Sequence, residues 1–308
     1  MTLAREAHSL RRCSLCLNRY IAPQPAARIM MLLAILALPL MAGARPAAPT
    51  PIPGYIPLPA LSDEFDGTAL DPAKWDTRDP GWPGRQPGLF DPANVVVSGG
   101  TLQLWARAAR RNASWPVGYD NYTTSAVHSI ATTRLGFFEI RWRSGSSGIS
   151  SSWWFHANNG STWTEIDVFE TTGTTNPARN GLNASTLPSH VHVFALPGVA
   201  PAALPAMCGC AESHAGVAPC SKGADFALPG GAAFSAAFHT ASLNWTEAGV
   251  VVALDGAVVT TIQSPCLIEE IGMDFDRETM PGWMALPDPA SLPDVPFTVD
   301  YVRAWKRE

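Results

Sequence analysis

Short runs in which apolar and polar residues alternate recur along this chain, separated by glycine, proline, asparagine or aspartate. Phe137-Phe138-Glu139-Ile140-Arg141-Trp142-Arg143 has the period of two that marks a strand with one buried face. Asn94 to Val97 and Thr101 to Trp105 flank Ser98-Gly99-Gly100, and Val250 to Leu254 and Val258 to Ile262 flank Asp255-Gly256. Each pair predicts a hairpin. Ser151 to His156, Ser189 to Phe194, Phe238 to Trp245 and Phe297 to Trp305 read as further strands, and Leu61 to Gly67, with Trp75, as a first short strand and turn. No helical period runs longer than two turns. The pattern predicts an all-β domain, a sandwich of two packed antiparallel sheets.

One run departs from simple alternation. Trp163-Thr164-Glu165-Ile166-Asp167-Val168-Phe169-Glu170-Thr171 holds three carboxylates in six residues, interleaved with Ile166, Val168 and Phe169, which favour a pleated strand. On a regular strand Glu165 and Asp167 share a face and Glu170 points to the other. A β-bulge near Val168 or Phe169 inserts one residue and returns Glu170 to the face of Glu165. The two Cα atoms then stand roughly 13 Å apart at ~3.3 Å per residue. Side chains leaning together bring the carboxyl groups to about 5 Å, the separation of a retaining glycosidase. A solvated acidic face is the plain alternative, but such a face usually mixes in Lys or Thr because adjacent like charges repel, and this stretch has no nearby base. A calcium site made of the same carboxylates is the competing functional reading.

The chain has 308 residues, 11 Trp, 28 Pro and 25 Gly, with only 15% charged residues, which suits a globular chain with many turns. Ile29 to Ala44 is a short apolar segment preceded by five arginines and one glutamate and ending in Ala42-Gly43-Ala44. It reads as a secretory signal peptide over 1–44, or as an uncleaved signal anchor, and Pro39 interrupts a segment already shorter than the ~20 residues of a spanning helix. Without it the chain keeps 16 basic and 25 acidic residues, a net charge of −9. That excludes nucleic acid as an expected partner, since binding it needs a basic footprint. Residues 45–60, rich in Pro and Ala, read as an extended linker, leaving 61–308 as the catalytic domain.

Cys208, Cys210, Cys220 and Cys266 remain in the exported part, so two disulfides are expected, with a zinc site at Cys208, Cys210 and Cys220 as the rival. Five Asn-X-Ser/Thr sequons, at Asn112, Asn121, Asn159, Asn183 and Asn244, point to surface loops on a secretory route.

From about Leu61 to its end the chain resembles glycoside hydrolase family 16. Glu-Ile-Asp-Val-Phe-Glu at 165–170 is similar to that family's bulged E-x-D-x-x-E signature. Asp-Glu-Phe-Asp-Gly at 63–67, Phe-His-Thr with Asn-Trp-Thr within 238–246, and Val-Asp-Tyr-Val-Arg-Ala-Trp at 299–305 support it. The resemblance implies a β-jelly-roll sandwich with a sugar-binding cleft, with Glu165 as nucleophile, Asp167 as its electrostatic helper and Glu170 as acid/base. Physical chemistry asks for the same division: the nucleophile must be ionised while the donor keeps its proton, so their environments must differ. The charge of Glu165 pushes the Glu170 carboxyl up.

Trp153 and Trp154 point to opposite faces of their strand, one to the core and one to a sugar; the family's aromatic upstream of the catalytic strand aligns best with Trp154, and Trp153 stays a binding candidate beside it. Trp163, beside Glu165, is a second stacking candidate. His192, in Ser-His-Val-His-Val-Phe, is similar to a cleft-facing strand of agar-cleaving relatives; His190 shares its face. Trp82 to Phe90, with Gly282-Trp283 and Leu286-Pro287-Asp288, looks like the agarase and porphyranase branch. Arg85 there offers a bidentate donor to a sulfate or an anhydrogalactose edge, or pairs with an acid in its loop.

The expected function is thus secreted, retaining endo-hydrolysis of an agar- or porphyran-type galactan by a monomer. The alternatives are an endo-β-1,3-glucanase of the laminarinase branch, whose usual residues are not evident in Gly160 to Thr164, a transglycosylase, or a carbohydrate-recognition protein on the same fold. Both catalytic glutamates favour the enzyme. No cofactor is called for; family members often hold a structural calcium, but no acidic cluster in the sequence marks one.

Overall fold

The computed structural model describes residues 53–308 except 79–80, 161, 179–181 and 196–219. The expected signal segment, the first half of the expected linker, Cys208 and Cys210 lie outside these residues. Among the described residues, alternation becomes seventeen strands. They are β1 (Tyr55–Pro57), β2 (Trp75–Asp76), β3 (Gly88–Phe90), β4 (Val95–Ser98), β5 (Thr101–Leu104), β6 (Arg107–Ala108), β7 (Tyr122–Ser129), β8 (Gly136–Arg143) and β9 (Ser151–Asn158). The rest are β10 (Thr162–Thr171), β11 (Thr186–Ala195), β12 (Cys220–Ala227), β13 (His239–Thr246), β14 (Gly249–Leu254), β15 (Ala257–Gln263), β16 (Gly272–Arg277) and β17 (Phe297–Arg307).

They form two sheets, as expected. One runs β15-β14-β13-β8-β17-β5-β4, with β1 on β17; the other runs β12-β11-β10-β9-β16-β7-β2, with β3 and β6 on β7. The main ladders are antiparallel, and only β3 runs parallel to β7. Both expected hairpins are present: Gly99 and Gly100 carry φ of 60° and 73°, and Asp255 and Gly256 carry 49° and 81°. Two successive left-handed residues give the turn twist that matches a hairpin.

Inner faces of the sheets meet in one large apolar cluster. Phe138, Ile140 and Trp142 of β8 face Trp153 and Phe155 of β9 and Phe169 of β10, all fully buried. Trp142 stacks on Phe169 with ring centroids 3.9 Å apart and planes at 18°. Phe234 covers the other side of Trp142 at 5.3 Å.

Four expectations change. Leu61 to Gly67 is a 3-10 turn (Pro59–Leu61) followed by a single bridge, Asp63 to Val302, because the Asp63 carboxylate accepts from Phe65 N and Trp75 Nε1 and bends the chain at Phe65. Tyr55–Pro57 pairs with Trp305–Arg307, so these residues belong to the sheet and not to a linker ending at 60. Strands β7 and β16 were not expected: β7 carries no apolar and polar alternation, and the alternation in β16 is short, its acids being buried along with its apolar residues. Strand β12 falls in the cysteine-bearing region read as loop, because as an outer strand of its sheet it carries small and polar residues. Cys220 and Cys266 are each disulfide-bonded.

Replacing Phe169 with alanine is expected to cost about 3–5 kcal/mol, the range for a buried aromatic truncated in a core. Chemical denaturation of the folded protein measures it, and a loss below about 1 kcal/mol would contradict the packing role assigned to this ring.

Candidate active site

Strand β10 pairs with β9 in regular register from Trp163 opposite Asn158 to Asp167 opposite Trp154. Pairing resumes one step later with Phe169 opposite Trp153, so Val168 is the extra residue of a β-bulge. Val168 and Phe169 are both fully buried in the core cluster. Glu165, Asp167 and Glu170 consequently share the opposite face, and all three line one cleft of about 420 Å³. A second hollow of about 530 Å³ shares Arg85, Glu165, Glu170, Phe194 and Met280 with it and continues past His192 to His190 and Trp283. Glu165 and Glu170 therefore border both hollows, which together make an extended groove.

Each acid has its own environment. Glu165 accepts a hydrogen bond from Trp163 Nε1 at 2.7 Å. Asp167 is buried, and burial, the Glu165 charge and a hydrogen bond to Glu165 hold its carboxyl well above the usual range. His192 Nε2 lies 3.3 Å from Asp167 Oδ2, and its Nδ1 is 2.7 Å from Ser221 Oγ. The Glu170 carboxyl is also pushed well up, first by burial, then by the charges of Asp167, Glu165 and Asp276. Glu170 thus keeps its proton where an ordinary glutamate has lost it.

The groove wall holds residues that sequence reading missed. Asp276 on β16 accepts from Trp154 Nε1 at 2.7 Å and from Ser150 Oγ at 3.0 Å. Ser152 pairs with Glu170 on one side and with Asp276 on the other, so one small residue separates the two acids. Just past β16, buried Glu278 accepts from Trp82 Nε1 at 2.8 Å and from Arg85 Nε at 2.9 Å. Thr279 Oγ1 donates to the Arg85 carbonyl and accepts from Gly88 N at 2.9 Å. Two consecutive residues thereby pin the loop that carries Trp82 and Arg85 over the acids. The alternation Met273-Asp274-Phe275-Asp276 was the available signal, but the run is short and ends at a buried arginine.

Of the expected binding residues, Trp154, Trp163, Arg85 and His192 line the groove. Arg85 pairs with Glu278, and half of its side chain stays exposed in the lining of the groove. Trp153 is corrected. It is fully buried, with Phe155 and Phe169 at 5.6 and 6.1 Å, because its place opposite Phe169 turns it toward the core. His190 lies further out, shifted down by burial and by His192. Opposite it, a Cβ on Gly223 would come 2.1 Å from the ring, so only glycine leaves His190 its place.

Among the described residues two groups have donor atoms within 4.8 Å of one another: His128, His156 and Asp274, and Glu165, Asp167 and His192. Both mix imidazole with carboxylate, unlike the all-oxygen set that calcium takes.

The Asp276 carboxyl is raised to about 8, chiefly by burial and then by the Glu278 charge. A carboxyl raised by folding stabilises the native state below its unfolded value of about 3.9 and loses that contribution as pH climbs through the folded one. Thermal stability is therefore expected to fall between about pH 4 and about pH 8. In Asp276→Asn the decline should be shallower, though Asp167 and Glu170 still contribute. Melting curves across that range test it, and parallel slopes in the two proteins would refute it.

Comparison with known proteins adds to this geometry. A family model for the glycoside hydrolase family 16 domain of β-porphyranases A–D matches residues 55–307. β-Porphyranase D of Zobellia galactanivorans is 35% identical over 105 residues, 33% of this chain and 25% of that protein. β-Porphyranase E of the same organism is 33% identical over 144 residues, 44% and 48% of the two lengths. The chain thus spans less than half the length of these two relatives. β-Porphyranase B of that organism is 26% identical over 265 residues, covering 80% of this chain and 83% of the relative. Its crystal structure superposes with a TM-score of 0.70 at 22% identity over 85% of this chain and 97% of the other. A β-agarase A bound to oligoagarose does so at 0.64 and 16% identity, covering 82% and 92%. Both show the same jelly-roll fold. With the family model matched from β1 through β17, the chain belongs to glycoside hydrolase family 16, in its porphyranase A–D group.

Proposed function

We propose that this chain is a retaining endo-hydrolase of an agar- or porphyran-type β-galactan. The bulge at Val168 carries the reading, because it sets Glu165, Asp167 and Glu170 on one wall of a groove made of two hollows that share residues. Glu165 attacks the anomeric carbon, and Glu170, kept protonated by its surroundings, protonates the leaving oxygen. Glu170 then takes a proton from water as that water releases the glycosyl-enzyme ester. Asp167, hydrogen-bonded to Glu165, steadies the nucleophile. Trp154, Trp163 and His192 bind the sugar chain, and Arg85, its Nε held by Glu278, takes a sulfate or an anhydrogalactose edge.

The leader, the disulfides at Cys220 and Cys266 and the exposed sequons at Asn112, Asn121 and Asn159 support an exported enzyme, which we take to act as a monomer. No helix among the described residues is long and apolar enough to cross a membrane.

Incubation with porphyran, agarose, carrageenan and laminarin, followed by mass analysis, tests the substrate. Release of galactan oligosaccharides with retained anomeric configuration by NMR is expected. Fragments from laminarin alone, or an inverted anomer, would overturn the proposal. Glu165→Gln and Glu170→Gln should each lose roughly 10²–10⁴-fold in kcat or more with an unchanged fold; near-wild-type rates in either would remove its assigned role.

A further inference from the structure

Beside the acids, three rings form a stack on the groove face. His156 of β9 lies against Trp154 of its own strand, with centroids 4.8 Å apart and planes at 23°. On its other side lies Trp163 of β10, at 4.6 Å and 12°. An imidazole that merely filled this space would be free to turn about its terminal torsion, which has broad wells. This one is not free, because its Nδ1 meets Asp274 Oδ2 at 2.9 Å. Asp274 is itself fixed, since its Oδ1 meets His128 Nδ1 at 2.8 Å. Burial pushes the Asp274 carboxyl up, but the hydrogen bonds from both histidines outweigh it and leave it below the usual range. Gly272, the β16 partner of His156, leaves the cluster its room: a Cβ there would come 2.6 Å from His128 Cε1.

The stack ends on the chemistry. Trp163 is half-buried, and its indole N–H donates to Glu165 Oε2 at 2.7 Å. The direction of that N–H depends on the surface against which the indole rests, and that surface is the His156 ring. The two imidazoles already occupy both oxygens of Asp274, so the network is complete as hydrogen bonds and needs no ion to explain it.

We propose that Asp274 and His156 are positioning residues. They set the plane of Trp163 so that its N–H stays on the Glu165 carboxylate and fixes the orientation from which that carboxylate attacks. The proposal rests on the reading of Glu165 as nucleophile, and its test separates the two.

In protein labelled with ¹⁵N-tryptophan, the Trp163 indole signal is identified by its loss in Trp163→Phe. In His156→Ala and Asp274→Asn this signal should move upfield and exchange with solvent about tenfold faster, as its hydrogen bond opens more often. Kcat on the cleaved galactan should fall about tenfold, the loss of one hydrogen bond to a charged group, with KM changed by less than about twofold. The double variant His156→Ala/Trp163→Phe should lose no more kcat than Trp163→Phe alone, since both changes break one chain of contacts. His156→Phe keeps a flat ring but cannot bond Asp274; it should keep the native fold by circular dichroism and still loosen the Trp163 signal. An unmoved Trp163 signal, or additive losses in the double variant, overturns the positioning role. The signal needs no turnover, so a shifted signal beside an active Glu165→Gln would instead overturn the nucleophile assignment and leave the contact chain standing.

Discussion

A single extra residue in β10 is the constraint on which both faces of the sheet depend. Because side chains alternate along a strand, inserting Val168 reverses the facing of everything that follows it. Core and groove both gain from that reversal. Toward the core, Val168 and Phe169 turn inward together, and Phe169 stacks on Trp142 of the opposite sheet. Toward the groove, Glu170 joins Glu165 and Asp167. The ring that locks the two sheets together is the immediate neighbour of the proposed proton donor, so packing across the sandwich and chemistry on its surface share one local backbone irregularity.

The groove floor concentrates acids that would repel one another in water. Glu165, Asp167, Glu170, Asp276 and Glu278 line it with Arg85 as the cation. Such crowding makes full ionisation costly, and the carboxyls of Asp167, Glu170, Asp276 and Glu278 are all shifted upward, chiefly by burial. Asp274 behaves in the opposite way because two histidines face it. Neighbours of one residue type on one strand, Asp274 and Asp276, thus carry opposite shifts, decided by whether imidazole or carboxylate stands nearby.

How much of this was legible in the sequence follows from how local each signal is. The Gly-Gly and Asp-Gly turns mark their hairpins because the residues that need a left-handed backbone are the turn itself. The parity fault in Glu165 to Glu170 was readable for the same reason: face and spacing belong to one segment. Strand β7 was not readable, since burial on both faces goes with a run that lacks alternation, and β16 alternates over only four residues before a buried arginine. Trp153 and Trp154 show the boundary case. Parity separates their faces, but only the pairing of Trp153 with Phe169 decides which of them enters the core. Asp276 and Glu278 meet Trp154, Trp82 and Arg85 across more than a hundred residues of chain, a proximity that no local pattern encodes.

The pairing of β1 with β17 has a bearing on what can be attached to this domain. Tyr55 lies opposite Arg307, so the described chain enters and leaves side by side, on the sheet that does not carry the acids. A tether, tag or neighbouring module joined at either strand would depart from the far layer of the sandwich. The layer that carries the acids would stay uncovered.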